Sequence, residues 1–261
     1  MEKIVELFDT HCHLDVSEFD ADREAVLVRA RAAGVTRMAI PAVDAAGWPA
    51  LLELCRREEG LYPALGLHPV YIDSHSNDDI DELRRLVEQE KPVAIGEIGL
   101  DFYVPGLDRE RQQWLFEQQL QIAAEFELPV LLHVRKAHDQ VLATLKRTKF
   151  PHGGIAHAFN GSLQQAEQYI AMGFKLGFGG MLTYERSTKL RALAAQLPLE
   201  SLVLETDAPD MSPAAHHGER NSPEYLPEVF SELVLLRADS PDQLARQLMS
   251  NSRGVLRLSR G

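Results

Sequence analysis

The sequence predicts an α/β protein of the (β/α)8 (TIM) barrel class, with extra helices toward its C-terminal end. Short apolar runs alternate with longer amphipathic stretches about eight times, and 261 residues suit one such barrel. No composition break, linker or internal repeat divides the chain, so 1–261 reads as one domain. The same alternation also admits an open doubly wound sheet with a terminal helical cap.

The elements follow from hydrophobic period and punctuation. Residues 4–9 form the first strand, and 18–33 a helix stopped by Gly34. Residues 35–41 are the second strand, with a helix over 48–59 that stops at Gly60. A third strand spans 61–66, and the helix over 78–90 is ended by Pro92. Residues 93–97 are the fourth strand. The helix over 108–127 has the clearest stripe, in Leu115, Ile122 and Phe126, with Arg109, Arg111, Gln112 and Gln118 placed toward solvent and Trp114 in the core. Strand five (129–133) precedes a helix over 137–147, strand six (154–159) one over 163–172, and strand seven (174–179) one over 188–196. The eighth strand covers 202–206, and helices near 224–237 and 242–251 close the chain.

Charge narrows the partners. With 39 acidic against 27 basic residues the net charge is −12, a field that repels polyanions. A nucleic acid would be held weakly, through local Arg and Lys side chains or bound metal. No run approaches 18 apolar residues, and Glu2, Lys3 and Glu6 interrupt any leader-like segment, so neither a membrane span nor export is expected. The two cysteines, Cys12 and Cys55, suit a reduced, cytoplasmic protein better than a disulfide.

The chemistry begins at Phe8-Asp9-Thr10-His11-Cys12-His13. In an extended chain Asp9, His11 and His13 share a face that Val5 and Leu7 continue upstream. Glu97 then ends strand four, His133 strand five and His157 strand six, and Asp207 follows strand eight. In a barrel these strand ends converge, delivering four imidazoles and two carboxylates to one mouth. Burying the six unpaired would cost several kcal/mol, whereas a metal centre uses them all. Such donors suit zinc, manganese, iron or nickel, and six exceed the needs of one tetrahedral ion. Two divalent ions bridged by Glu97, with magnesium, manganese or zinc as candidates, fit the set better.

Other residues carry weaker signals. His68, in Gly66-Leu67-His68-Pro69, either contacts substrate or hydrogen-bonds within a turn. Asp9 and Glu205 are placed to orient ligands, and Asp101 and Tyr103 to shape the pocket. His75, His138, His152, His216 and His217 read as solvated. Gly177, Gly179 and Gly180 serve either a phosphate approach or a tight turn. No Gly-rich nucleotide fingerprint follows a strand, and no Gly-x-Ser-x-Gly elbow seats a serine nucleophile.

Taken together, Asp9-Thr10-His11-Cys12-His13, Gly66-Leu67-His68-Pro69, Gly96-Glu97-Ile98-Gly99-Leu100-Asp101, Leu128 to Arg135, His157-Ala158-Phe159-Asn160-Gly161-Ser162 and Glu205-Thr206-Asp207-Ala208-Pro209 resemble the signatures of TatD-type metal-dependent hydrolases. They come in the family's order and span nearly the whole chain. The resemblance implies an amidohydrolase-like barrel with a one- or two-ion centre and deoxyribonuclease activity, of the 3′–5′ exonuclease kind. It assigns His11, His13, Glu97 and Asp207 to one ion and Glu97, His133 and His157 to the second. Two departures stand out. Val70 occupies a place where the family often has a further His, and the loop 216–223 keeps Arg220 and Asn221 but has His217 and Glu219 where basic residues are usual.

The reaction expected is phosphodiester hydrolysis of DNA by a metal-activated water, with Asp207 orienting the water or taking its proton and Glu97 at the centre of the site. Arg135 and Arg220 are candidate phosphate contacts, or else surface ion pairs. An alternative keeps the centre and changes the bond to an amide, lactone or ester, as in a deacylase. A non-catalytic metal-dependent interaction protein fits less well, because all six ligand positions are filled. No obligate protein partner is implied.

Overall fold

The structure, a computed structural model, describes residues 5–258, so Ile4 of the first predicted strand lies outside the described residues. Eight strands run parallel in one sheet in chain order: β1 (Leu7–Asp9), β2 (Val35–Pro41), β3 (Leu61–Leu65), β4 (Ala94–Asp101), β5 (Val130–Arg135), β6 (Gly154–Ala156), β7 (Phe174–Phe178) and β8 (Leu202–Leu204). Past the last pair the circle is joined beside β1, where the Thr10 amide donates to Leu204 O at 3.0 Å and the Asp207 amide to His11 O at 2.8 Å. This sequential order is that of a (β/α)8 barrel and rules out the doubly wound sheet.

The helices are α1 (Arg23–Ala32), α2 (Trp48–Arg57), α3 (Asp78–Glu90), α4 (Arg109–Glu125), α5 (His138–Thr148), α6 (Leu163–Ala171), α7 (Thr188–Gln196), α8 (Leu226–Leu236) and α9 (Pro241–Val255). Local chemistry sets several starts. Asp108 caps α4 by accepting from the Glu110 and Arg111 amides, and Ser162 with Gln165 forms a reciprocal capping box on α6. Gly60 follows α2 at φ +84°, and a Cβ there would strike the Thr36 carbonyl.

Strand pleat sorts the core into two layers. Phe8, Ala39, Ala64, Ala94, Leu131, Ile155 and Val203, one from each of seven strands, pack together inside the barrel with Val255 and Leu256 from the end of α9. Leu7, Met38, Ile40, Leu65, Ile95, Leu132, Leu176 and Leu204 belong to the layer under the helices. Leu7 therefore does not share a face with the metal-capable residues. The register with β2 shifts between Leu7 and Phe8, and β1 ends at Asp9, so His11 and His13 are carried by the loop beyond it.

Two expectations for α4 are corrected. Its inward stripe includes Gln112 and Gln119, both buried, together with Leu115, Phe116, Leu120 and Ala123. Gln112 is thus not at the solvent face. Trp114 is not core: it is 38% exposed and lies under the Arg111 guanidinium, 4.4 Å from the ring centre.

Candidate metal centre

The interior layer leads directly to the site. Two residues beyond Leu131, Ile155 and Val203 in the same pleat stand His133, His157 and Glu205. Glu97 reaches the same level because the register of β4 against β5 shifts between Ile95 and Ile98. Asp207 comes from the loop after β8, at φ +59°, a left-handed conformation that Asp tolerates better than most residues.

Glu97 is the centre of the arrangement. Its Oε2 lies 2.9 Å from His11 Nε2 and 3.3 Å from His13 Nε2. Its Oε1 lies 2.9 Å from His133 Nδ1, 3.3 Å from His68 Nε2 and 3.5 Å from His157 Nε2. Asp207 Oδ1 stands 3.8 and 3.7 Å from the Nε2 atoms of His11 and His13. All six expected ligands therefore meet, and each oxygen of one carboxylate faces its own set of imidazoles.

Outer partners hold the rings. His13 Nδ1 lies 3.1 Å from the Pro41 carbonyl, which only accepts, so in the neutral ring Nε2 presents a lone pair to the centre. His133 Nε2 meets Asp101 Oδ2 at 2.9 Å, turning Nδ1 inward. Asp101 Oδ1 in turn accepts from the Tyr103 and Val104 amides. Glu205 Oε1 accepts from the Ala158 amide at 2.5 Å and lies at ion-pair distance, 3.3 Å, from His157 Nδ1, a buried nitrogen with no hydrogen bond. A Cβ at Gly177 would fall on the Glu205 carboxylate, so that glycine makes room for a carboxylate from the neighbouring strand. Asp9 bonds the His11 and Thr206 amides and the Thr206 hydroxyl, fixing backbone on both sides of the barrel closure.

The electrostatics favour a cation. Burial works against a charged His157, but the carboxylates of Asp207, Glu97 and Glu205 outweigh it and raise the ring to about 10. His13 is likewise buried, and Glu97 and Asp207 raise it to about 9. Burial lifts Asp207 to about 6 against the pull of His157 and His13, and lifts Asp9 to about 7 against its Thr206 bonds. The negative field that holds protons here is the field that draws a divalent ion. His11 Nε2 and His13 Nε2 are 3.3 Å apart with Glu97 Oε2 beside both, and the buried His11 Nδ1 has no hydrogen-bond partner. The donors of His11, His13 and Glu97, of His68, Glu97 and His133, and of His11, His157 and Asp207 each lie within 4.8 Å of one another, which fits metal-ligand chemistry.

His68 makes the turn hydrogen bond that is one of the two readings the sequence leaves open. Its Nδ1 accepts from the Val70 amide in a turn, so in the neutral ring Nε2 carries the proton, 3.2 Å from His133 Nδ1 and 3.3 Å from Glu97 Oε1. Burial, against the pull of Glu97, lowers this ring to about 4 and keeps it neutral. Arg135 lies exposed in the mouth, its guanidinium 3.7 Å from the centre of the Tyr103 ring. Arg220 lies elsewhere: it is bidentate to Asp22 at 2.8 and 2.7 Å, donates to Glu18 O and covers Phe19. His75 and His138 are buried rather than solvated, because each has internal partners, His68 O for the first and Tyr169 and Asn160 for the second. Asn221, also buried, donates to Thr206 O and Asp210 O and pins the loop after β8. The mouth opens into a cavity of about 930 Å³ whose walls include Phe159, Met181, Arg186 and Lys189.

Comparison with known proteins identifies the family. The profile of the family described as TatD related DNase matches residues 8–257. The chain belongs to the TatD family of metal-dependent hydrolases. Among TatD-family relatives, the uncharacterized metal-dependent hydrolase YjjV of Escherichia coli K12 is 44% identical over 251 residues, covering 95% of this chain and 97% of its own. The 3′–5′ ssDNA/RNA exonuclease TatD of a Pantoea species (strain At-9b) is 38% identical, covering 97% and 100%. The crystal structure of the E. coli K12 TatD homologue YjjV superposes with a TM-score of 0.95 at 43% identity, over 98% and 100% of the two chains. No helix among the described residues of this TatD-family chain is long and apolar enough to cross a membrane.

Proposed function

We propose that this TatD-family hydrolase cleaves phosphodiester bonds of single-stranded DNA, digesting from the 3′ end, at a divalent-metal centre that the residues around Glu97 would hold. The observation that carries the reading is the division of the Glu97 oxygens, Oε2 toward His11 and His13 and Oε1 toward His133 and His157. It accords with the exonuclease named among the relatives. His11, His13, Glu97 and Asp207 would hold one ion, and Glu97, His133 and His157 the other. Bound ions of this kind supply Lewis acidity toward phosphoryl oxygens and a water acidified toward neutrality.

The chain's own groups do the rest. Asp207, whose carboxylate stands beside the His11 and His13 rings, is placed to orient an attacking water or take its proton. His68 stays neutral, with its Nε2–H beside His133 Nδ1 and Glu97 Oε1, and so helps to hold the centre of the cluster. Arg135, held flat on Tyr103, presents its guanidinium edge to phosphate. Asp101 and the Pro41 carbonyl keep the His133 and His13 imidazoles in register, and the Glu205 carboxylate stands at ion-pair distance from His157. Arg220 has no part in this reading, since its donors are committed to Asp22 and Glu18.

The test is cleavage of an end-labelled single-stranded oligonucleotide by protein stripped of metal and reloaded with magnesium, manganese or zinc, beside Glu97→Ala. Metal-dependent cleavage that shortens the strand from its 3′ end and is lost in the variant is the expected result. Absence of cleavage with every metal, in protein that binds two ions, would overturn it. A carbonyl ester or lactone would then be the bond to try.

A further inference from the structure

Beside the metal mouth lies a second cavity of about 510 Å³, opening between the loops that follow β4, β5 and β6. Three cations line it, Arg135, Lys136 and Lys189, and no carboxylate stands among its lining residues. In a chain of net charge −12 that is unexpected. Elsewhere many arginines are paired with acids, as Arg29 is with Glu224 and Arg56 with Glu90. Arg135, Lys136 and Lys189 have no carboxylate partner among the described residues.

The site is built rather than incidental. Lys189 Nζ donates to the Asn160 carbonyl at 3.2 Å, and the Asn160 side chain is held by buried His138 at 3.1 Å. Lys136 sits at φ +56° directly after β5. The nearby acid, Asp139, is occupied by the Gln165 amide at 2.7 Å. Tyr103 is 56% exposed and lies beneath Arg135, an aromatic face beside a row of cations. Arg135, Asn160 and Lys189 also line the metal mouth, so the two cavities share a wall.

Cations along a groove with an exposed aromatic are what a single-stranded polynucleotide needs, phosphates on the one and bases on the other. We propose that this second cavity is a phosphate subsite that grips the backbone of a single-stranded polynucleotide beyond the scissile bond, so that the protein selects chains over dinucleotides. The proposal rests on the phosphodiester reading of the metal centre, and it explains how an acidic protein holds a polyanion: the local field at Arg135, Lys136 and Lys189 opposes the global one.

Binding and turnover separate the two ideas. Metal-loaded wild-type protein and the Lys136→Ala/Lys189→Ala double variant are titrated against a labelled phosphorothioate-linked single-stranded dodecamer, which resists cleavage. The variant should bind about fivefold or more weakly, and its slope of log K against log salt should be shallower by about 0.7 for each phosphate that the lysines no longer neutralise. The preference in kcat/KM for an ordinary dodecamer over a dinucleotide should fall by a similar factor. Lys136→Arg/Lys189→Arg should restore both, which a merely structural role would not require. An unchanged dissociation constant and salt slope in the alanine variant would overturn the subsite. If wild-type protein cleaves neither substrate, the phosphodiester reading falls, and the binding titration alone decides the subsite.

Discussion

Asp101 shows how much of this site is controlled by residues that bind nothing themselves. Its carboxylate is 1% exposed, fixed by the Tyr103 and Val104 amides, and spends its remaining oxygen on His133 Nε2. Burial works against its charge, yet the His133 bond and the two amides hold the carboxyl down to about 2, so it is ionised whenever the protein is folded. An ionised acceptor takes the ring proton on Nε2 and leaves Nδ1 bare toward Glu97. Asp101→Asn removes that charge with little change of shape, and an amide that rotates its NH2 toward His133 reverses the preferred tautomer. The expected outcome is a 10–100-fold loss of metal affinity, measured by chelator competition, with the far-ultraviolet spectrum unchanged. Affinity equal to the wild type would show that His133 needs no partner.

At the scale of one element, α4 works as a bracket. Gln112 and Gln119 lie seven residues apart on its buried stripe, and each clasps one residue's backbone amide and carbonyl. Gln112 accepts from the Asp101 amide and donates to Asp101 O, and Gln119 does the same to Leu67 at 2.7 and 3.2 Å. One helix thereby fixes the loop that carries His68 and the end of β4 that carries Asp101. Gln119→Leu preserves size and helix propensity but strands the Leu67 amide and carbonyl in the core. At about 1–3 kcal/mol for each of the two orphaned groups, roughly 2–6 kcal/mol of stability should be lost, visible as a lower urea midpoint at unchanged slope. Stability unaltered by the substitution would mean that water replaces the amide.

This bracket is not legible in the sequence, and the reason is physical. A glutamine in an amphipathic pattern reads as solvent-facing unless its backbone partner is known, and Leu67 is 52 residues away. Trp114 misleads in the opposite sense, since an aromatic ring covered by Arg111 satisfies the surface as well as the core would. Strand ends are approximate for a similar reason: β6 and β8 stop at Ala156 and Leu204, and His157 and Asp207 hang beyond them in loops. What can be read is periodic or punctuated. Pleat arithmetic from Leu131 and Ile155 places His133 and His157, whereas the same arithmetic from Leu7 misplaces His11, because a register shift within β1 intervenes. The six expected metal-site residues come together nonetheless: His11, His13, His157 and Asp207 lie past strand ends, while Glu97 and His133 lie within β4 and β5, which run on to Asp101 and Arg135 rather than ending at them. His68 admits two readings from sequence because the turn bond from the Val70 amide to its Nδ1 is not visible there.

For the molecule as a whole, the cluster makes stability depend on metal and pH together. Without metal, His13 and His157 hold protons more tightly folded than unfolded, about 9 and about 10 against the usual 6.5. A raised folded pKa gives stability that is complete below 6.5 and is lost as pH climbs through 9 and 10. Asp9, raised by burial to about 7, acts in the same direction below that pH. The opposing groups lie outside the window: His68, lowered to about 4, and Glu97, held well below its usual range, lose their contribution only in acid. Metal-stripped protein should therefore melt at progressively lower temperature as pH rises from about 6.5 to 9. Metal binding must displace the same protons, so it gains as they become easier to remove. The rise in melting temperature on adding manganese or zinc at fixed free concentration should widen across that window. Free metal at 100 times its dissociation constant stabilises by about 2.7 kcal/mol per site, several degrees for a chain of this size. The widening should vanish in Glu97→Ala, which removes the carboxylate both sets of imidazoles face. A metal-induced shift that is constant from pH 6.5 to 9, or that survives in Glu97→Ala, would mean that the ions stabilise the fold from somewhere other than this cluster.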